Sequence, residues 1–201
     1  AAGYDLVEYA PSLWNKTPGK KLISLDFEPA EIDSDFPVAV DVVGDLGDAL
    51  WQMSEELNNR FEGKLPLFDI NDRKKLRDTI VADLFAEEND LSFPAKPQRI
   101  INDVQKFLGP KDIVLSDVGA HKMWISRYFN CEEPNRCLIS NGFCTMGIAL
   151  PGGIGAHYAE PNVRVLAISG DAGFLMNVQE LETAVRLKIK MVHMVWVDGE
   201  Y

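Results

Sequence analysis

VRVLAISGDAGFLMNVQELETAVRLKIKMVHMVWVDGEY runs from Val163 to Tyr201. One apolar run, Val163 to Ser169, meets Gly170-Asp171-Ala172-Gly173, and a second, Met191 to Val197, meets Asp198. The stretch between them is long enough for a helix, which the spacing places over 178–188. Two buried-type strands joined by a helix predict a parallel βαβ unit with a right-handed crossover. In an open parallel sheet, ligands bind beyond the carboxyl ends of the strands. Both aspartates therefore sit at the edge where chemistry is expected.

Outward from that unit the same alternation continues upstream. From Pro97 the pattern predicts a helix, PQRIINDVQKFLG, stopped at Gly109-Pro110. A strand, DIVLSD, and a helix, HKMWISRYF, follow. After a loop come LIS and Asn141-Gly142, then a small-residue helix, TMGIALPGGIGAHYA. Further upstream, KLISLDF (21–27) reads as a short buried strand and VAVDVV (38–43) as another. Asp45 is a good N-cap for a helix to about Arg60, with Leu46, Leu50, Met53 and Leu57 at helical spacing. Residues 61–95 differ. Pro66, Pro94 and Pro97 bound a charged helix from about Asn71 to Glu88, with Leu76, Ile80, Leu84 and Phe85 on one face. The expected class is α/β: a doubly wound parallel sheet over 96–201, a connection carrying its own helix over 61–95, and the end of a second α/β domain over 1–60. A surface helix of one continuous domain is the alternative for the middle segment.

Lys+Arg 20 against Asp+Glu 31 gives a net charge of −11 in 201 residues, a poor match to nucleic acid or anionic lipid. That balance does not exclude one local phosphate site, because backbone amides bind phosphate without net positive charge. Cys131, Cys137 and Cys144 make an odd count without paired spacing, which argues for reduced thiols and a cytoplasmic setting over disulfides or zinc. No apolar run reaches membrane-span length, and the start, AAGYDLVEYAPSLWNK, lacks a signal-peptide pattern.

Four segments end at the functional edge: Ser116-Asp117-Val118-Gly119-Ala120-His121, Ser140-Asn141-Gly142, Gly170-Asp171-Ala172-Gly173 and Asp198-Gly199-Glu200. Each has glycine beside a polar residue, which lets backbone amides approach a ligand. One helix and one strand separate Asp171 from Asp198, so a βαβ crossover would let both carboxylates converge. Two such oxygens beside a phosphate-binding turn suit Mg²⁺. From spacing alone, Asp171 as a helix N-cap and Asp198 as a turn residue remains an equal alternative. Gly170-Asp171-Ala172-Gly173 is not G-x-G-x-x-G, and no ribose-binding acid follows at the right distance, which counts against a nucleotide-linked dehydrogenase. Pro151-Gly152-Gly153-Ile154-Gly155 follows a helix-like segment and reads as a site of close helix packing.

The run from Ser140 to Tyr201 resembles the cofactor-binding domain of thiamine-diphosphate-dependent enzymes, above all the acetolactate synthases of the catabolic, FAD-independent type. Gly170-Asp171 begins the family's diphosphate signature and Asp198 falls where its later ligand stands. Thr145-Met146-Gly147 matches a further element, and ELETAVR is typical of the acetolactate synthase branch. GYDLVEYAPSLWN and LDFEPAEID resemble the end of that family's central domain. The similarity covers nearly the whole chain and is weakest over 60–95.

The resemblance implies that Asp171, Asp198 and the carbonyl of Glu200 hold Mg²⁺. It implies that Gly119, Ala120 and His121 lie along the diphosphate, with Gly170 opening the signature and Ala172 and Gly173 supplying amides. Met146 would bend the cofactor between its two rings, and Gly142 or a neighbour would offer a carbonyl to the aminopyrimidine. Ala172 stands where the family has glycine, Asp198 where it has asparagine, and Gly199-Glu200 departs from the usual order. The last change leaves the carbonyl ligand's identity open. By themselves, Met146 beside Ile148 and Leu150 reads as core, His193 as a satisfied buried histidine, His157 as a helix-end residue, and Trp124 and Trp196 as packing residues.

The activity implied is decarboxylation of pyruvate followed by condensation with a second pyruvate to give 2-acetolactate. The glutamate that activates the cofactor is expected in a separate N-terminal domain from a partner subunit. The chain is thus expected to be an inactive fragment of a homodimeric or homotetrameric enzyme, with no catalytic residue of its own. Competing readings are another enzyme of the same cofactor class (a pyruvate oxidase, a benzoylformate-type decarboxylase or a glyoxylate carboligase) or a non-catalytic α/β module binding a phosphate-bearing ligand.

Overall fold

The computed structural model describes residues 1–4, 10–16, 19–31, 34–64, 70–197 and 199, the Leu84 side chain excepted. Pro66, Asp198, Glu200 and Tyr201 lie outside the described residues. The chain divides into two units, 1–69 and 70–201.

In the first unit, a short helix α1 (Pro11–Trp14) precedes strands β1 (Leu22–Asp26) and β2 (Val38–Val43) and helix α2 (Leu46–Arg60). The strands pair in parallel, with Leu25 opposite Val42. Helix α2 starts where Asp45 predicts. The Asp48 amide donates to Asp45 Oδ1 at 2.8 Å, which satisfies one of the donors a first turn leaves open. Tyr4 stacks on Phe36 at 5.2 Å. Burial departs from expectation: in β1 only Ser24 and Leu25 are buried, and most of β2 is exposed. Leu50, Met53 and Leu57, the helical stripe of α2, stand exposed with Trp51. Periodicity tells which residues share a face, and that face here has nothing packed on most of it among the described residues.

The second unit begins with helices α3 (Asn71–Ala86) and α4 (Pro97–Phe107). The turn after α3 is tied to the start of α4: Lys96 Nζ bridges Glu87 at 2.7 Å and Asp90 at 2.6 Å. Asp83 accepts a short hydrogen bond from the Tyr128 hydroxyl, which pushes that phenol above its usual range. On α3, Ile80 is half-buried while Leu76 and Phe85 are exposed. The chain then runs β3 (Ile113–Ser116), α5 (Ala120–Tyr128), β4 (Cys137–Ile139), α6 (Ala149–Ala159), β5 (Val165–Gly170), α7 (Asp171–Met176), α8 (Glu180–Arg186) and β6 (Val192–Trp196).

The four strands form one parallel sheet in the order β4-β3-β5-β6. Ser116 lies opposite Ile168 and Ile139, and Gly170 opposite Trp196, so all four carboxyl ends share one edge. Alternation sorts the faces. Val114, Leu166 and Ile168 pack with Ile101 and Val104 of α4 and Ile125 and Tyr128 of α5, while Leu115 and Ala167 point the other way, toward Ala149 of α6. Helices thus cover both faces, the doubly wound arrangement read from the sequence, and β3 and β5 are buried throughout except at Gly170.

Two helices differ from expectation. The segment from Thr145 becomes helical only at Ala149, and Gly147 adopts φ +86° before it. Starting there puts Pro151 in the first turn, where its missing N–H is not needed; a start at Thr145 would bury the proline in the helix interior. The helix expected over 178–188 is shorter, Glu180–Arg186, and α7 precedes it, separated by a turn at Asn177. Close packing at Pro151–Gly155 holds: a Cβ on Gly152 would meet Leu115 Cδ1 at 2.8 Å, and one on Gly153 would press on the Met191 methyl.

Candidate functional site

From β3 the chain leaves through α5 toward β4; from β5 it leaves through α7 and α8 toward β6. Neighbouring strands whose outgoing connections diverge leave a crevice at their carboxyl ends, and this is where an open α/β sheet takes a ligand. The turn after β3 carries Asp117, Val118 and Gly119, and the turn after β5 carries Gly170 and Asp171.

His121, on the first turn of α5, fills the space between them. A Cβ built on Gly119 would fall 2.7 Å from its imidazole and one on Gly170 3.9 Å from it. Only glycine suits position 119, where φ is +154°. The imidazole is 4% exposed, and its Nε2 has no hydrogen-bond partner. Burial pushes the His121 pKa down, and the Asp117 charge and backbone oppose that shift in part. The ring is therefore neutral near pH 7 and carries an orphan polar atom, a state that costs free energy unless something binds there.

The other expected site residues fall into three groups. Gly119, Ala120, His121, Gly170, Asp171, Ala172 and Gly173 converge on the crevice. Gly173 starts so close to β3 that its Cβ would lie 3.2 Å from the Asp117 carboxyl carbon. Half-buried Asp171 accepts the Ala172 amide at 2.7 Å. Met146 lies in the turn before α6 and is 39% exposed, which corrects its reading as a core helix residue. Gly142 is exposed in the same connection with open space around it. Asp198 and Glu200 follow β6 and lie outside the described residues. Among the described residues no three histidine, cysteine or acidic side chains gather in a metal-binding group.

Asp117 was in a motif but had no assigned role, and the structure puts it at the centre. It is 1% exposed, and its carboxylate accepts amides from Val118 at 2.7 Å, Gly147 at 2.9 Å and Ala149 at 3.2 Å. Gly147 and Ala149 lie far along the chain, so no local pattern points to them. His193 meets half of its expectation: Nε2 bonds Ser169 Oγ at 2.7 Å, whereas Nδ1 has no partner. Burial also pushes its pKa down. His157 lies in the last turn of α6, and Trp124 and Trp196 pack as expected, Trp124 stacked on Tyr128 at 5.7 Å. The three cysteines are free. A separate apolar cavity of about 630 Å³ lies at the opposite end of the sheet, against Val165, Val192 and Phe107, away from all these turns.

The crevice suits a diphosphate: glycine-bearing turns follow β3 and β5, and the His121 ring lies between them with its Nε2 unpartnered. Comparison with known proteins agrees. Residues 117–201 match the thiamine pyrophosphate enzyme family, C-terminal TPP binding domain. The chain's relatives include acetolactate synthases. The chain is 36% identical to the acetolactate synthase of Bacillus subtilis strain 168 over 99% of its own length and 34% of that protein's. It is 34% identical to the catabolic acetolactate synthase of Raoultella terrigena, covering 99% of this chain and 35% of that one. To the probable acetolactate synthase large subunit of Methanococcus aeolicus it is 32% identical, over 86% and 30%. The chain thus spans about a third of the length of these relatives.

Proposed function

We propose that the protein is an acetolactate synthase, with residues 96–201 its thiamine-diphosphate domain, 61–95 a connection and 1–60 the end of a central α/β domain. The crevice between the turns at Gly119 and Gly170, at the switch point of the sheet and lined by the His121 ring with its Nε2 unpartnered, carries this reading. The acetolactate synthase relatives support the branch.

When bound, thiamine diphosphate supplies an electron sink for decarboxylating a 2-keto acid, here pyruvate, and for joining the remainder to a second pyruvate as 2-acetolactate. The chain's own residues bind and orient. Gly119, Ala120, His121, Gly170, Ala172 and Gly173 hold the diphosphate, and Asp171, Asp198 and the Glu200 carbonyl hold Mg²⁺. Met146 would set the angle between the cofactor's rings, and the carbonyl of Gly142 or a neighbour would accept from the aminopyrimidine. The activating carboxylate is assigned to a part of the enzyme outside these 201 residues, so this chain alone is expected to be inactive. A homodimer or homotetramer in the cytoplasm is the proposed setting. Among the described residues, no helix is long and apolar enough to cross a membrane.

Calorimetric titration with thiamine diphosphate, with and without Mg²⁺, tests the site. Mg²⁺-dependent binding that disappears in Asp171→Ala is expected. Absence of binding in a chain shown to be folded, repeated in a longer form containing the activating domain, would overturn the assignment.

A further inference from the structure

Met146 does its proposed work from a turn, outside any helix, with a side chain that is 39% exposed. Something else must fix it. We propose that Asp117 and Asn177 form a two-sided clamp on Gly147 that positions Met146, and through it the ring half of the cofactor. This rests on the thiamine-diphosphate assignment above.

The geometry works through two peptide planes. A peptide is planar, so an oriented Gly147 N–H also orients the Met146 carbonyl and Cα. Asp117 Oδ1 accepts that N–H at 2.9 Å. On the other side, Asn177 Nδ2 donates to the Gly147 carbonyl at 2.9 Å, which fixes the next peptide. Gly147 sits between the two with φ +86°, and a Cβ there would lie 2.6 Å from Asn177 Nδ2. Asp117 Oδ2 accepts the Ala149 amide at 3.2 Å and so also sets where α6 starts.

The clamp spans both walls of the crevice. Asp117 ends β3, whereas Asn177 ends α7, whose first residue is the proposed metal ligand Asp171. A carboxylate at 117 is specific to this task, because it accepts on both oxygens at once. In Asp117→Asn one of those positions becomes an NH₂ group, which faces an N–H donor and cannot bond it. Burying a charge is costly unless amides meet it, and here three do.

The test separates positioning from simple structural support. The 201-residue chain and its Asp117→Asn and Asn177→Ala variants are titrated with Mg²⁺ and thiamine diphosphate, and in parallel with Mg²⁺ and inorganic pyrophosphate, after near-UV circular dichroism confirms folding. Asn177 is only half-buried, so its variant keeps the test alive if Asp117→Asn does not fold. Both variants are expected to weaken thiamine diphosphate tenfold or more and to leave pyrophosphate within about twofold. Unchanged thiamine diphosphate affinity, or equal losses for both ligands, overturns the clamp alone. Failure to bind thiamine diphosphate while binding pyrophosphate, in the unaltered chain and again in a longer form containing the activating domain, overturns the cofactor assignment and the clamp with it.

Discussion

His121 carries two opposite consequences of one burial. Its pKa is pushed down from 6.5 by desolvation, and that of His193 likewise. A group whose folded pKa is depressed binds fewer protons folded than unfolded, so stability falls as pH drops below about 6.5. Urea midpoints measured from pH 7.5 to 5 are expected to decline, and less steeply in His193→Gln. Ligand binding runs the other way. A diphosphate beside Nε2 favours the protonated ring, so binding takes up a proton and tightens as pH falls. Pyrophosphate titrations in buffers of different ionisation enthalpy are expected to show that uptake in the unaltered chain and to lose part of it in His121→Gln. His121 was legible because it ends a glycine-bearing motif at a strand terminus. Asp117, after the same strand, was not, because its partners Gly147 and Ala149 lie about thirty residues away in sequence, in the turn before α6 and at its first residue.

At the scale of elements, α6 shows how glycine sets a packing distance. Gly152 lets the helix approach Leu115, which is 7% exposed and has little room to move. Gly152→Val is expected to cost about 1–3 kcal/mol by overpacking. Gly155, with open space around its Cβ direction, is the internal control: Gly155→Ala is expected to gain about 0.4–1 kcal/mol through the unfolded chain. Urea midpoints at constant m-value check both. The strands of the second unit were readable from their apolar runs, most plainly β3 and β5, which are buried on both faces and leave little else to encode. Helix starts were less readable. The proline at 151 and the positive φ at Gly147 decide where α6 begins, and a periodic pattern registers neither.

At the scale of the whole molecule, the two units differ in buried core: Leu25 and Phe36 are the buried hydrophobic residues of the first among the described residues, and the rest lie in the second. In the second, both faces of the sheet carry helices. In the first, Val40, Val43, Leu50, Trp51 and Leu57 are 42–63% exposed among the described residues. With a net charge of −11, electrostatic repulsion keeps such surfaces apart at low salt. Sedimentation is expected to show self-association of this chain as salt rises from about 0.02 to 0.5 M, and Trp51→Glu with Leu50→Lys to suppress it. Amphipathic spacing announced the stripe on α2; what covers it could not be read, since a partner surface leaves no periodicity in the sequence it meets.

The order of the strands has a consequence for how the protein is made. The crevice lies between β3 and β5, and the chain must complete β4 and α6 between them before β5 can pair. Residues 117–121 leave the ribosome well ahead of residues 170–173, yet neither turn alone presents a pocket. On the proposed assignment, a nascent chain therefore has no full cofactor affinity until its central pairing closes and its metal ligands are made, and the arrival of the cofactor becomes a molecular record that synthesis has passed Glu200 and that the sheet has paired.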